Sequence, residues 1–170
     1  GVKNATYAAA EAAGKPTYRY LDALPDLTAA LNYARKSHAK GMLIAWGSSY
    51  SASLSLHLAA SQPGLIDGVL AFSPGEYFPK VPWIAEETAR ITHLPVFITS
   101  GPGEGAMWKP MYEAMPTPKK ASYLPSGTAY LHGSKVLWAD LGSASYPIPN
   151  SLAEGYWTAT EAFLKQHFLP

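Results

Sequence analysis

Ser49, Glu76, Glu104 and His132 are residues of the types, and in the order, that acyl-transfer chemistry uses. A serine hydroxyl attacks a carbonyl once a base takes its proton, and the usual base is an imidazole oriented by a carboxylate. Ser49 lies in Gly47-Ser48-Ser49-Tyr50-Ser51, a G-x-S-x-S pattern one step from G-x-S-x-G. It sits at the joint between an apolar run, Met42 to Trp46, and a segment from Ser51 to Ala60 with Leu54 and Leu58 at helical spacing. A serine on so tight a strand-to-helix turn projects its hydroxyl beyond the sheet, and the helix N-terminus turns its positive end toward an oxyanion formed there. Such a turn needs small residues on both sides of the nucleophile, here Gly47 and Ser51.

Five histidines compete for the role of base. His57 is about 12 Å down the helix from Ser49 at roughly 1.5 Å per residue, and reads as structural. His93 precedes its strand and falls on the opposite rim, while His38 and His167 belong to outer helices. His132, in a loop after the last strand, is the one that fits. For the carboxylate, Glu104 after the third strand is preferred and Glu76 after the second stays open. Asp140, beside Trp138 and Leu141, suits a cap or turn.

These residues need a frame that brings strand ends to one rim. Gly68 to Phe72 reads as a second buried strand ending in Ser73-Pro74-Gly75. Leu94 to Thr99 reads as a third and Ala121 to Leu124 as a fourth, with weak helices over Ile84 to Ile91 and Ala106 to Met115. Ahead of Ser49, Asn4 to Ala13 is an alanine-rich helix, Lys15 to Tyr20 a connector, and Leu24, Leu27, Leu31 and Ala34 form one face of an amphipathic helix. A final helix opens with the capping box Ser151-x-x-Glu154 and buries Leu152, Tyr156, Phe163 and His167. The alternation predicts an α/β fold, a mostly parallel sheet flanked by helices joined by right-handed crossovers. Sheets of that kind carry their chemistry at the C-terminal strand ends, where Ser49, Glu76, Glu104 and His132 all fall.

Composition narrows the function classes. With 170 residues, 48% of them apolar and 12% aromatic, the chain is long enough for one globular domain. A formal net charge of +1, with both signs scattered, gives no footprint for nucleic acid or an anionic membrane, so a small neutral ligand fits better. No apolar stretch reaches the roughly 20 residues that span a bilayer, and no signal pattern opens the chain. The expectation is a soluble protein, cytoplasmic ahead of exported. Absence of cysteine excludes disulfides, thiolate metal sites and a cysteine nucleophile, but names no compartment. The first residue is Gly1, so the chain reads as processed or truncated.

Trp46-Gly47-Ser48-Ser49-Tyr50-Ser51, Pro95-Val96-Phe97-Ile98 running on to Gly101-x-x-Glu104, and His132-Gly133 resemble the serine hydrolases of the α/β-hydrolase superfamily, in the dienelactone-hydrolase-like branch of small esterases. The resemblance spans about Asp22 to Phe168 and shares the order nucleophile, acid, histidine. It implies Ser49 as nucleophile, His132 as base and then acid, Glu104 as the orienting group, and the Tyr50 N–H as one oxyanion donor. The sequence departs from the family with Ser51 for glycine and Glu104 for the commoner aspartate. It departs further in lacking the strands that precede the nucleophile strand, one of which leads to the second oxyanion donor. The chain therefore resembles the C-terminal half of a hydrolase, and Met42 to Trp46 would be an apolar edge strand that a missing N-terminal segment or a second polypeptide completes.

Other chemistries fit poorly. In Gly101-Pro102-Gly103-Glu104-Gly105, Pro102 removes a donor and Glu104 repels phosphate, so this is no phosphate loop. No H-E-x-x-H or paired-histidine spacing offers a zinc site, and no cofactor is implied. Asn4-Ala5-Thr6 matches a glycosylation sequon too short to weigh. Tyr77, Phe78, Trp83 and Trp108, with Glu76, could line a substrate pocket for an ester or lactone. Two classes of function remain: an esterase working through an acyl-enzyme, and a non-catalytic binding module on the same fold.

Overall fold

A computed structural model describes residues 5–14, 19–127, 131–138 and 150–169. Asn4 of the sequon, most of the 15–20 connector, Asp140, Leu141 and the side chain of Ser151 lie outside them. The elements run α1 (Ala5–Ala12), α2 (Leu24–Ser37), β1 (Ile44–Ser48), α3 (Tyr50–Ser61), β2 (Gly68–Phe72), α4 (Ile84–Thr88), β3 (Val96–Thr99), α5 (Gly105–Ala114), β4 (Lys120–Tyr123) and α6 (Asn150–Phe168). Short 3-10 turns cover Tyr20–Ala23, Pro102–Glu104 and Gly133–Leu137.

The four strands form one sheet in the order β1-β2-β3-β4, and every neighbouring pair is parallel. All C-terminal strand ends therefore share one rim, as the alternation of elements predicts. Alternate residues of the central strands point to opposite faces. Val69, Ala71, Val96 and Ile98 pack with Ala52, Leu54, Leu56, Ile84, Trp108 and Met111 of α3, α4 and α5. Leu70, Phe72 and Phe97 pack on the other face with Tyr156 and Phe163 of α6 and with Val136 and Leu137. β2 and β3 are buried along their whole length, which explains their unbroken apolar runs.

α3 is buried over most of its surface because the sheet lies on one side of it and α4 on the other, and its buried serines are hydrogen-bonded. Ser53 Oγ donates to Gly75 O (2.7 Å) and accepts from Gly75 N (2.9 Å), while Ser55 Oγ donates to Ser51 O (2.9 Å). α2 contributes only a half-buried stripe of Leu24, Leu27 and Leu31. It is tied down where Arg35 Nη2 meets Asp67 Oδ2 at 2.7 Å, the same oxygen that accepts from Leu43 N at 2.6 Å.

β1 differs from the expected Met42 to Trp46. Gly47 and Ser48 read as turn residues, yet they pair in register with Ala71 and Phe72 and carry the strand up to Ser49. α4 stops at Thr88 rather than Ile91, where the Thr88 hydroxyl bonds Ala85 O at 2.9 Å and Met111 O at 3.0 Å. In α6, Tyr156 and Phe163 are buried as expected, whereas Leu152 and His167 are only partly covered. No helix among the described residues is long and apolar enough to cross a membrane.

Candidate active site

Ser49 occupies the one-residue joint between β1 and α3 with φ 60° and ψ −131°. An L-residue avoids that conformation, which costs on the order of 1–3 kcal/mol and persists only where the surroundings enforce it. Three contacts enforce it here. Ser49 N donates to Phe72 O at 2.8 Å, which finishes the strand pairing. Ser51 Oγ accepts from Ser48 N (2.9 Å) and donates to Ser48 O (2.7 Å), clamping the turn from the helix side. Gly47 lets the helix close down, since a Cβ there would lie 2.4 Å from Ala52 Cα. Ser51 thus adds a hydrogen-bonded clamp at a position where a glycine would only leave room.

The Ser49 hydroxyl meets His132 Nε2 at 2.7 Å, and His132 Nδ1 meets Glu104 Oε1 at 2.5 Å. Facing a carboxylate, Nδ1 carries the ring proton and Nε2 is left to accept from the serine. The other carboxylate oxygen, Oε2, accepts from Ser73 Oγ at 2.6 Å and from Gly101 N at 3.3 Å. Glu104 closes the 3-10 turn after β3, its N–H bonded to Gly101 O at 3.0 Å, so a bend of only a few residues aims it at the histidine. Ser100 anchors that bend from both faces of the sheet. Trp108 Nε1 donates to its hydroxyl at 2.7 Å from α5, and the Tyr156 hydroxyl donates to its carbonyl at 2.8 Å from α6. Burial, with Tyr123 and Glu104 adding to it, pushes the Tyr156 phenol up, so it stays a neutral donor.

Ser73 and Ser48, which the sequence reads as ordinary turn and strand-end residues, hold the histidine loop. Ser73 is buried and has φ 55°, a second departure from favoured backbone. Its hydroxyl accepts from Gly133 N at 2.7 Å while donating to Glu104, so one side chain links the acid to the residue after His132. Ser48 Oγ accepts from Ser134 N at 2.9 Å. Gly133, with φ 65°, is required there because a Cβ would stand 2.2 Å from Ser48 Oγ. A polar side chain directly after a buried strand is the only trace of Ser73 in the sequence.

The remaining candidates separate. Glu76 does not turn toward His132: its carboxylate accepts from the backbone N–H groups of Trp83, Ile84 and Ala85 at 3.0, 3.0 and 2.9 Å and anchors the start of α4. Trp108 is buried in the core, supporting the Glu104 bend rather than lining the rim. Tyr77 does lie beside the site, its ring edge-on to His132 at 6.4 Å and its hydroxyl donating to Ser73 O at 2.9 Å. Tyr50, as the first residue of α3, has a backbone N–H with no acceptor within the helix. His57 sits halfway along α3 against Trp83, with Glu87 Oε2 3.3 Å from Nδ1, away from Ser49. His38 caps α2, His93 is exposed beside Thr92, and His167 rests on Phe163.

A hydroxyl bonded to an imidazole that a part-buried carboxylate orients can pass its proton to the near ring nitrogen, which is the arrangement nucleophilic acyl transfer requires. Neither a protein-family model nor a curated protein matches the sequence. Solved structures do resemble the fold. An esterase of Pyrococcus furiosus, Pf2001, superposes with a TM-score of 0.66 at 16% identity, covering 91% of this chain and 66% of its own. The siderophore hydrolase EstA of Aspergillus nidulans gives 0.48 at 14% identity, over 84% of this chain and 58% of its own. The chain thus spans 66% of the length of the Pyrococcus esterase, and that likeness shows an α/β-hydrolase-like fold.

Proposed function

We propose that the chain is a serine hydrolase that cleaves carboxylic esters or lactones through an acyl-enzyme. The observation that carries this reading is the continuous Ser49 Oγ, His132, Glu104 chain of hydrogen bonds, built on a serine held at φ 60°. Ser49 Oγ bonds to the carbonyl carbon as its proton moves to His132 Nε2, and the Tyr50 N–H at the start of α3 receives the developing oxyanion. The carbon–alkoxide bond then breaks, and the alcohol leaves with the proton from Nε2. Water next gives its proton to the same nitrogen, attacks the acyl carbon and releases the acid, restoring the serine. Glu104 keeps the ring in the tautomer and orientation both halves need.

The sheet edge supports one addition. β1 ends the strand order, so the loop that usually offers a second oxyanion N–H has no strand to leave from among the described residues. We infer that further chain or a second polypeptide supplies that strand and donor. Without the donor the rate would fall by about 10²–10³-fold. The same edge favours the competing reading, a non-catalytic binding module. A short-chain aryl ester and a fluorophosphonate label separate the two. The hydrolase reading expects turnover and labelling that Ser49→Ala abolishes; absence of labelling in the protein together with its sheet-completing partner would establish the module.

A further inference from the structure

An open cleft of about 590 Å³ lies against the candidate site, bounded by Arg19, Tyr20, Leu21, Tyr77, Phe78 and Pro79. Two of its walls adjoin residues of that site. Tyr20 stacks on Tyr50, the residue after the nucleophile, at 4.5 Å and 8°, and Tyr77 meets the His132 ring edge-on at 6.4 Å and 89°. Tyr20 and Tyr77 are themselves 6.4 Å apart at 83°, so they form a right-angled aromatic corner. Tyr20 is still 53% exposed although it is stacked on Tyr50, so part of its ring is open to a ligand.

We propose that this corner is the leaving-group subsite and that it selects esters of arylmethyl alcohols. This rests on the serine hydrolase reading. A planar ring can stack on the open face of Tyr20 while presenting its edge or face to Tyr77, and both geometries use the ring quadrupole, which a saturated ring of similar size lacks. The cleft falls within the roughly 300–1,000 Å³ typical of small-ligand sites. Among the described residues that line it Arg19 is the one ionic side chain, with Asp22 Oδ1 3.9 Å from its guanidinium, so a neutral ring fits better than a cationic one. The assignment to the alcohol rather than the acyl group follows from His132. The proton delivered from Nε2 must reach the departing oxygen, so the leaving group lies against the imidazole, and Tyr77 packs on that ring.

The test compares kcat/KM for benzyl acetate with that for cyclohexylmethyl acetate, a pair of similar size and leaving-group basicity. The expected preference for the benzyl ester is about 3- to 10-fold, falling to near parity in Tyr20→Leu. Because the readout is a ratio within one protein, partial loss of folded enzyme does not change it. Parity in the wild type, or a preference that survives Tyr20→Leu, overturns the subsite. A larger aromatic preference in methyl phenylacetate over methyl cyclohexylacetate overturns its placement on the alcohol side. Ring NMR shifts of Tyr20 and Tyr77 in Ser49→Ala, titrated with benzyl acetate and its saturated analogue, separate this idea from the reaction it rests on. Selective binding without turnover of any ester by the wild type would leave the corner standing and remove the hydrolase, whereas turnover without selective binding would do the reverse.

Discussion

Without the Ser73 hydroxyl, Glu104 Oε2 would keep only the longer Gly101 N–H at 3.3 Å, and the Gly133 N–H would be buried without an acceptor. An orphaned buried group costs about 1–3 kcal/mol, and here the cost falls on the acid and the histidine loop together. Ser73→Ala is therefore expected to lower kcat about tenfold or more with KM little changed, since the Ser73 hydroxyl faces Glu104 and Gly133, while the Ser73 carbonyl that accepts from Tyr77 of the cleft is kept in the variant. A KM effect with kcat intact would contradict that role. His57 makes a different prediction. Burial lowers its pKa below the ordinary 6.5, with Arg90 adding to the effect and Glu87 opposing it. In the window between the folded value and 6.5 the unfolded chain binds the proton more readily, so stability rises with pH there. The contribution is complete above 6.5 and is lost as the pH falls through that window. Thermal unfolding at pH 7.5 and 5.5 should show a larger loss for the wild type than for His57→Gln, and equal losses would exclude it.

Two glutamates at neighbouring strand ends end up with unrelated tasks because of the elements that follow them. Glu104 sits in a 3-10 turn that leads into α5 and turns it toward His132, while Glu76 sits in a loop that returns to collect three N–H groups at the start of α4. Glu104→Gln is expected to cut kcat by about 10³–10⁴-fold, the scale seen when a triad carboxylate is neutralised. Glu76→Gln should instead lower stability by about 1–3 kcal/mol, seen as a reduced Tm, and leave kcat within a few-fold. Steady-state kinetics and thermal melts on the pair distinguish the roles, and a kinetic collapse in Glu76→Gln would reverse them. The sequence left this choice open for a physical reason: position after a strand was legible, but not where the loop went next. The strands were legible because Gly68 to Phe72 and Val96 to Thr99 are buried on both faces and so lie in unbroken apolar runs. Ser49 could be nominated from its G-x-S-x-S setting between an apolar run and a helical segment, and His132 as the histidine in a loop after the last strand. Trp108 was not, because Pro110 in the middle of α5 obscures which face of that helix meets the sheet. Ser73 and Ser48 were hidden because their work is to bond backbone groups of a loop more than fifty residues away, and no local pattern records that.

At the scale of the whole molecule the edges of the sheet decide what it meets. β2 and β3 are covered on both faces and both edges, whereas among the described residues β1 and β4 are each paired on one side only, and β1 is the edge next to Ser49. Ser49 N and Leu43 O both bond toward β2, so by the alternation of a strand the N–H and C=O groups of Ile44 and Trp46 face the open side. Trp46, stacked on Phe72 at 5.3 Å, is still 45% exposed, and Trp157 beside it is 44% exposed. An apolar edge of this kind pairs with whatever strand it meets, and proteins that must keep such an edge free place charge on it. In the absence of a covering strand, this chain is expected to associate through β1, giving a sedimentation coefficient that rises over about a tenfold range of concentration. Trp46→Arg keeps a planar group over Phe72 while placing a charge on the edge, so its sedimentation should be flat across the same range. A wild-type chain that sediments as a monomer throughout would mean that the edge is already shielded, and the strand inferred to complete the oxyanion site would have to join the sheet elsewhere.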